Sequence, residues 1–459
     1  MTMHDVVVIG GGSGGYAAAI RAAQLGTNVV LAEYAETGGT CVNRGCIPSK
    51  VWLRAADLLQ RLKTGEEFGI NASVEEIDFN AIVERKSGVS AEIRMGMEAL
   101  LQNNVVEVVK KRAVIKSPQE VDVDGRIIET KKIIIATGSS LSAPEIPGLK
   151  KAAMTTDDVL EMTAVPESIL VCGSGYIEVE MTYLLNAFGC KVVMAAESAR
   201  ILPKEDSDTS QRVAQALREK GVEIIPRASL ESVKTTQTGT TCKLSGPKER
   251  SVKVEKVLVS RREPNTSELG LEKLGVTLNE DKGIRVNDRL ESSVEGIYAI
   301  GDATGGWMLS HAASSMSVFA AENAMGANNR YPFNLIPRCL WTQPEMGAVG
   351  LSEEDAEKKG YDVETGVFPY AINGLAMVRN QVDGAVKIVS DARYGEILGV
   401  HIVGSSATEI IAEAVMAMQL EATVQELARS IRVHPTFSEA VVDAARDAGD
   451  WALYLPRGV

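Results

Sequence analysis

No stretch of this sequence stays apolar for the roughly twenty residues that a membrane helix needs, and no run of lysine and arginine is visible along it. The first absence argues against a membrane partner. The second, with a formal net charge of −13, argues against nucleic acid or an anionic membrane surface and leaves small ligands and proteins. The opening "MTMHDVVVIGGG" has no basic segment ahead of its short apolar run, so it does not read as a signal peptide. A cytoplasmic setting is expected. Histidine is also scarce, at four residues, and cysteine numbers six. In a reducing compartment the scattered Cys172, Cys190, Cys242 and Cys339 read as free thiols, whereas a close pair points to redox chemistry or metal.

One close pair is present. In "GGTCVNRGCIPSK" (38–50), Cys41 and Cys46 stand five positions apart. In a regular helix that step is about 7.5 Å along the axis and onto a different face, beyond disulfide reach. A bond would require a distorted turn, which Asn43 and Gly45 suit, with a helix then starting near Cys46. A thiol at a helix start feels the positive end of the dipole, so Cys46 is expected to be the better stabilised thiolate. A metal site is disfavoured, because four histidines and no second cysteine pair leave little to complete four-coordination. Spacing alone leaves two unrelated thiols open.

Ahead of the pair, "DVVVIGGGSGGYAAAIRAAQLGTNVVLAE" reads as strand, glycine turn, helix and strand. Gly10 suits the tight turn, Gly12 the approach of a pyrophosphate and Gly15 close packing of helix on strand, while Glu33 is placed to accept from a ribose hydroxyl. The unit recurs at "SILVCGSGYIEVEMTYLLNAFGCKVVMAAES", where Gly173 and Gly175 match Gly10 and Gly12. There the third glycine is Glu178, and the position of Glu33 falls on Ala196, with Glu197 one place on. "KKIIIATGSS" and "GIYAIGDATGG" read as strands running into glycine turns, in which Asp302 holds a ribityl or phosphate group or simply caps a helix. From about Ile336, alternating strands ("GAVKIVSD", "EILGVHIVG") precede one long amphipathic helical stretch from Thr408 to Arg429, an α+β closing domain.

Together "GGTCVNRGCIPSK", the first glycine fingerprint, "IIIATGS", "AIGDATG" and "HPTFSEA" resemble the class I flavoprotein disulfide reductases, and within them the dihydrolipoamide dehydrogenases, over essentially the whole chain. The resemblance implies an α/β fold with two Rossmann-like dinucleotide-binding domains and a C-terminal α+β dimerisation domain. Its parts would be an FAD-binding domain with the redox disulfide (1–149), an NAD(P)-binding-like domain (150–268), a central domain completing the FAD site (269–335) and the dimerisation domain (336–459). It also implies FAD held by the first glycine turn and Glu33, with Thr40, Lys50, Thr137, Gly138 and Asp302 in the matching motifs. Cys41 would be the interchange thiol of a Cys41–Cys46 disulfide and Cys46 the charge-transfer thiol. His434 would be the base, Glu439 its orienting carboxylate, Lys50 and Glu180 an ion pair beside the flavin, and the active unit a homodimer in which each His434 serves the other subunit.

Departures from the family pattern gather at the second nucleotide unit: Glu178, Ala196, and Arg261 in "VSRREPNT" where glycine is usual. Others are Arg432 near the base, Leu375, Met316 and Ser317. Three readings follow. One is an NAD-dependent dihydrolipoamide dehydrogenase. Another is an enzyme oxidising a dithiol such as dihydrolipoamide, free or on a lipoyl-bearing protein, with weak or altered NAD(H) coupling and another acceptor, such as a protein. The last is a non-catalytic flavoprotein subunit that binds lipoyl proteins.

Overall fold

The computed structural model describes residues 3–142, 144–236 and 239–456. Strand β1 (His4–Ile9) buries Val6, Val7, Val8 and Ile9 on both faces, which is why it is a continuous apolar run rather than an alternating one. It pairs in parallel with β2 (Val29–Ala32) on one side and with the strand Arg126–Ile135 on the other. β3 (Glu107–Val109) extends the sheet beyond β2, and Ile297–Ala299 joins it beside Arg126–Ile135, both in parallel. The segment after residue 269 therefore returns to complete the first sheet. Helix α1 (Ser13–Gln24) crosses between β1 and β2, and its Ala18, Ala19 and Ala22 share one core with Ala320 and Ala321 of the helix Ser310–Ala324.

After β2 the chain makes α2 (Gly39–Arg44), α3 (Cys46–Lys63) and α4 (Phe79–Asn103). A second parallel sheet carries the repeated unit, in the order Glu223–Pro226, Lys191–Ala196, Ser168–Cys172, Lys256–Leu258, Ala153–Met154. The C-terminal part is a five-stranded antiparallel sheet, in which the expected strands are Ala385–Asp391 and Ile397–Val403. The chain is thus α/β with a C-terminal α+β part, as expected.

The single helix expected from Thr408 to Arg429 is instead two, Ala407–Gln419 and Val424–Arg429. Glu421 turns left-handed at φ 54°, and Thr423 with Glu426 forms a capping box that starts the second helix. The apolar period reads through the break because Ile411, Ala414, Val424 and Leu427 all enter the same core.

Buried charge joins the second sheet's layer to the C-terminal sheet. Arg338 holds Glu205 at 2.7 and 3.1 Å, and Lys387 meets Asp206 at 3.2 Å, Asp208 at 3.0 Å and Glu353 at 2.6 Å. Both Glu205 and Asp206 have fully buried side chains. Among the described residues, no helix is long and apolar enough to cross a membrane.

Candidate active site

The first glycine turn is built for close approach. Gly10 takes φ +98°, and a Cβ on Gly15 would fall 1.7 Å from the Gly10 carbonyl oxygen; only glycine lets α1 sit this near β1. Beside Gly12 there is room, since a Cβ there would meet only Gly39 Cα, at 3.8 Å. Glu33 is buried and accepts from the Gly11 amide at 2.6 Å and the Ala35 amide at 2.6 Å, so its carboxylate is fixed against the turn. This cradle of glycines, helix start and anchored acid fits a dinucleotide.

Residues far apart in sequence close the remainder of that site. Ser139 donates to Asp302 at 2.6 Å, and Arg262 donates to the Ser139 hydroxyl at 2.9 Å, to its carbonyl at 2.6 Å and to the Thr40 hydroxyl at 3.3 Å. Asp302 lies in a short 3-10 turn and is anchored by a side chain rather than acting as a helix cap. Thr137 and Gly138 are held by Asn265, whose side-chain amide donates to the Thr137 carbonyl at 3.0 Å and whose backbone amide donates to Gly138 at 2.9 Å. Thr40, Thr137, Gly138 and Asp302 are therefore brought together. Arg262 and Ser139 were not singled out from sequence, although both lie within quoted motifs.

The cysteine pair straddles a helix break. α2 carries Cys41, Gly45 breaks the helix at φ −139°, ψ −109°, and α3 begins at Cys46. The Asn43 side-chain amide ties the short helix back to the carbonyls of Thr37, at 3.1 Å, and Gly39, at 2.9 Å. Both cysteines are free thiols here. The two thiols perturb one another in opposite directions. The Cys46 thiol donates to Cys41, and with the hydroxyls of Ser310 and Ser13 and the Lys50 charge it brings Cys41 down to about 6, against the opposing effect of burial. Cys46 is raised, by serving as that donor, by deeper burial, by the Cys41 charge and by Glu180. Donation from Cys46 is the largest of these effects on Cys41.

Lys50, one turn into α3, places its ammonium 3.2 and 3.1 Å from the two carboxylate oxygens of Glu180 and 3.9 Å from the centre of the Trp341 ring. The Trp341 amide donates to Glu180 at 3.0 Å. The expected pair exists, and Trp341, which has no sequence signal, holds both members. His434 sits elsewhere. Its Nδ1 is 2.9 Å from Glu439, whose other oxygen takes the Thr436 amide at 2.7 Å. The His434 side chain is 77% exposed, and neighbouring Ile431 is 95% and Val433 77% exposed. Of the other three histidines, His4 opens β1, His311 meets the Pro337 carbonyl at 2.7 Å, and the buried His401 meets the Leu351 carbonyl at 2.8 Å. Among the described residues no cluster of three or more His, Cys, Asp or Glu is placed to hold a metal.

The second turn differs. Gly173 takes φ +123°, but the Glu178 side chain lies across it: a Cβ on Gly173 would fall 2.8 Å from Glu178 Cγ, and one on Gly175 2.8 Å from its Oε2. Ser260 donates to the other carboxylate oxygen. Glu178 is thus folded into the turn, not out to solvent. Ala196 is fully buried at the end of its strand, and Glu197 beyond it is exposed. Arg261 is not Glu178's partner; it is mostly exposed and lies 3.6 Å from Glu263. This turn does not fit a diphosphate as it stands.

A family profile described as pyridine nucleotide-disulphide oxidoreductase matches residues 4–317, and that family's dimerisation domain matches 336–445. The chain belongs to this family. Relatives include the dihydrolipoyl dehydrogenases of Thermus scotoductus, 37% identical with 99% of each chain covered, and of Bacillus subtilis, 36% identical over 99% of this chain and 100% of the other. Among solved structures, a Cu(II) complex of the HOCl-induced flavoprotein disulfide reductase RclA from Escherichia coli matches with TM-score 0.85 and 27% identity over 97% and 99% of the chains. LpdA from Mycobacterium tuberculosis matches with TM-score 0.87 and 27% identity over 96% and 99%. The family member described here is a flavoprotein oxidoreductase of the dihydrolipoyl dehydrogenase type, its cofactor is FAD, and it carries the domain that makes these enzymes homodimers.

Proposed function

We propose that the homodimer oxidises a dithiol, dihydrolipoamide or its lipoyl-protein form, through Cys41 and Cys46, and that its coupling to NAD is weak. FAD, held by Gly10, Gly12, Gly15, Glu33, Thr40, Lys50, Thr137, Gly138 and Asp302, supplies a two-electron acceptor for the cysteine pair. A substrate thiolate attacks Cys41, the Cys41–Cys46 bond breaks, and the electron pair leaves on Cys46. The substrate's second thiolate then attacks the substrate sulfur, forming the cyclic disulfide and releasing Cys41. His434 takes one proton of the dithiol and the other leaves to solvent. With Nδ1–H donating to Glu439, the lone pair of Nε2 is left to accept it. The exposure of His434 beside apolar Ile431 and Val433 supports its delivery to the cysteine pair of the partner subunit. The non-catalytic reading would leave the His434–Glu439 bond and the low Cys41 thiol without a use.

The observation that carries the NAD part is the inward Glu178. A diphosphate charge about 5 Å from its carboxylate is repelled by about 3 kcal/mol at an effective dielectric near 20, about a hundredfold in affinity. Buried Ala196 supplies no ribose contact. The acceptor is then a group without a diphosphate in this turn, such as a protein. Arg261, exposed and 3.6 Å from Glu263, favours the second reading, an ordinary NAD-linked enzyme, since its exposed guanidinium can meet a phosphate. Anaerobic titration of the purified flavoprotein decides between them. Dihydrolipoamide should bleach the flavin absorbance readily and NADH or NADPH poorly; micromolar NADH affinity with fast bleaching would overturn weak coupling.

A further inference from the structure

The segment 301–309, which carries Asp302, also walls a cavity of about 320 Å³, within the range of small-molecule sites. None of the residues assigned to FAD lines it. Its floor is apolar: Ile284 is fully buried, and Met316 and Ile336 are nearly so. Met316, one of the departures from the family pattern, accepts the Gly301 amide on its sulfur at 3.3 Å, so it brings no charge to the floor. Trp307 forms a wall held by residues that do not line the cavity. Lys204 and Arg338 stand 5.1 and 5.0 Å from its ring centre, and Tyr176 is T-shaped to it at 6.4 Å. The mouth has an apolar side, Phe333 at 42% exposure, and a charged side, the exposed Arg285. Asp281, four residues before Arg285, gives its carboxylate to the amides of Gly283 and Gly306 at 2.9 and 3.2 Å. Among the described residues no ion pair engages Arg285.

We propose that this cavity binds a flat aromatic carboxylate, its ring on the apolar floor and walls and its carboxylate at Arg285. Shape selects the ring, because Trp307 and Phe333 present flat apolar surface and a ring leaves water for them without stranding a polar group. Charge selects the head group, because the planar fork of a guanidinium matches a carboxylate through two parallel bonds. A nucleotide is not suited: among the described residues of the lining, Arg285 alone is charged. The wall next to the mouth is strained, with Met308 left-handed at φ 50° where no glycine relieves it. Such strain gathers at ligand clamps. The proposal stands apart from the dithiol reading and needs only the FAD-bearing fold.

The test is calorimetry of the FAD-loaded homodimer with naphthoate, beside its neutral analogue naphthamide. One naphthoate should bind per protomer with FAD retained, and the amide about tenfold more weakly. Arg285→Gln, at the exposed rim, should weaken naphthoate about tenfold and leave the amide unaffected. Val286→Trp fills the cavity from a half-buried wall and should abolish binding of both, with FAD still bound. No naphthoate binding by the parent protein, or equal naphthoate affinity in the parent and Arg285→Gln, overturns the proposal; the second comparison holds even where Val286→Trp does not fold. Release of FAD by naphthoate overturns it as well, since the cavity would then belong to the flavin site.

Discussion

The two glycine turns of this chain start from the same strand, turn and helix and end with opposite contents. In the first, Gly15 leaves nothing between α1 and β1, Glu33 stands outside the turn with its oxygens on the Gly11 and Ala35 amides, and space remains over Gly12. In the second, Glu178 replaces the third glycine and brings its own carboxylate over Gly173 and Gly175, where Ser260 holds it. Both helix starts attract an anion. One waits for an external anion and the other has one in the chain. A fold signal and a ligand signal in the same motif can therefore separate by a single residue.

The comparison breaks most completely when the second turn's residue is put into the first. Gly15→Glu places atoms on the Gly10 carbonyl, and the purified protein should be colourless, with FAD binding lost; a yellow variant would mean that α1 can retreat from β1. The dithiol half is probed by His434→Gln. Turnover with dihydrolipoamide should fall by about two to four orders of magnitude with FAD retained, and unchanged turnover would remove His434 from the base role. The reverse transplant sharpens the contrast: Glu178→Gly with Ala196→Glu should tighten NADH binding about a hundredfold by calorimetry. Ser260→Ala, which frees Glu178 without removing it, should give a smaller gain of about tenfold, the size of one charged hydrogen bond. Equal NADH affinity across these variants would show that Glu178 does not set the acceptor.

Comparing the chain with itself exposed Glu178 and Ala196 before any geometry, because the repeat supplies its own reference at a fixed offset. What the repeat does not carry is direction: a glutamate after a glycine turn can point outward, and only the Ser260 contact fixes it inward. The cysteine motif likewise announced a broken helix at Gly45. The helix-start argument weighed Cys46 without its neighbour Cys41, which perturbs it most, and the Ser310–Ser13 bond joins positions 297 apart that no local pattern links. Trp341 was silent for the same reason, since it reaches Lys50 from a distant strand end. The long amphipathic stretch after Thr408 misled because two short helices on one sheet share a single apolar period.

The ion pairs behind the second sheet give that unit a task that does not depend on what its turn binds. Glu205 and Asp206 reach Arg338 and Lys387 with no solvent on either carboxylate, so removing one partner strands a charge in a dry interior, which costs about 3–5 kcal/mol. Such a joint resists hinging. The second nucleotide unit then works as a rigid strut between the disulfide layer and the dimer layer: Glu180 on its first helix steadies Lys50, and Glu205 and Asp206 behind that helix brace the sheet on which the helix following His434 packs. Whatever its turn binds, a nucleotide fold can thus set the spacing at which two other parts of the molecule meet.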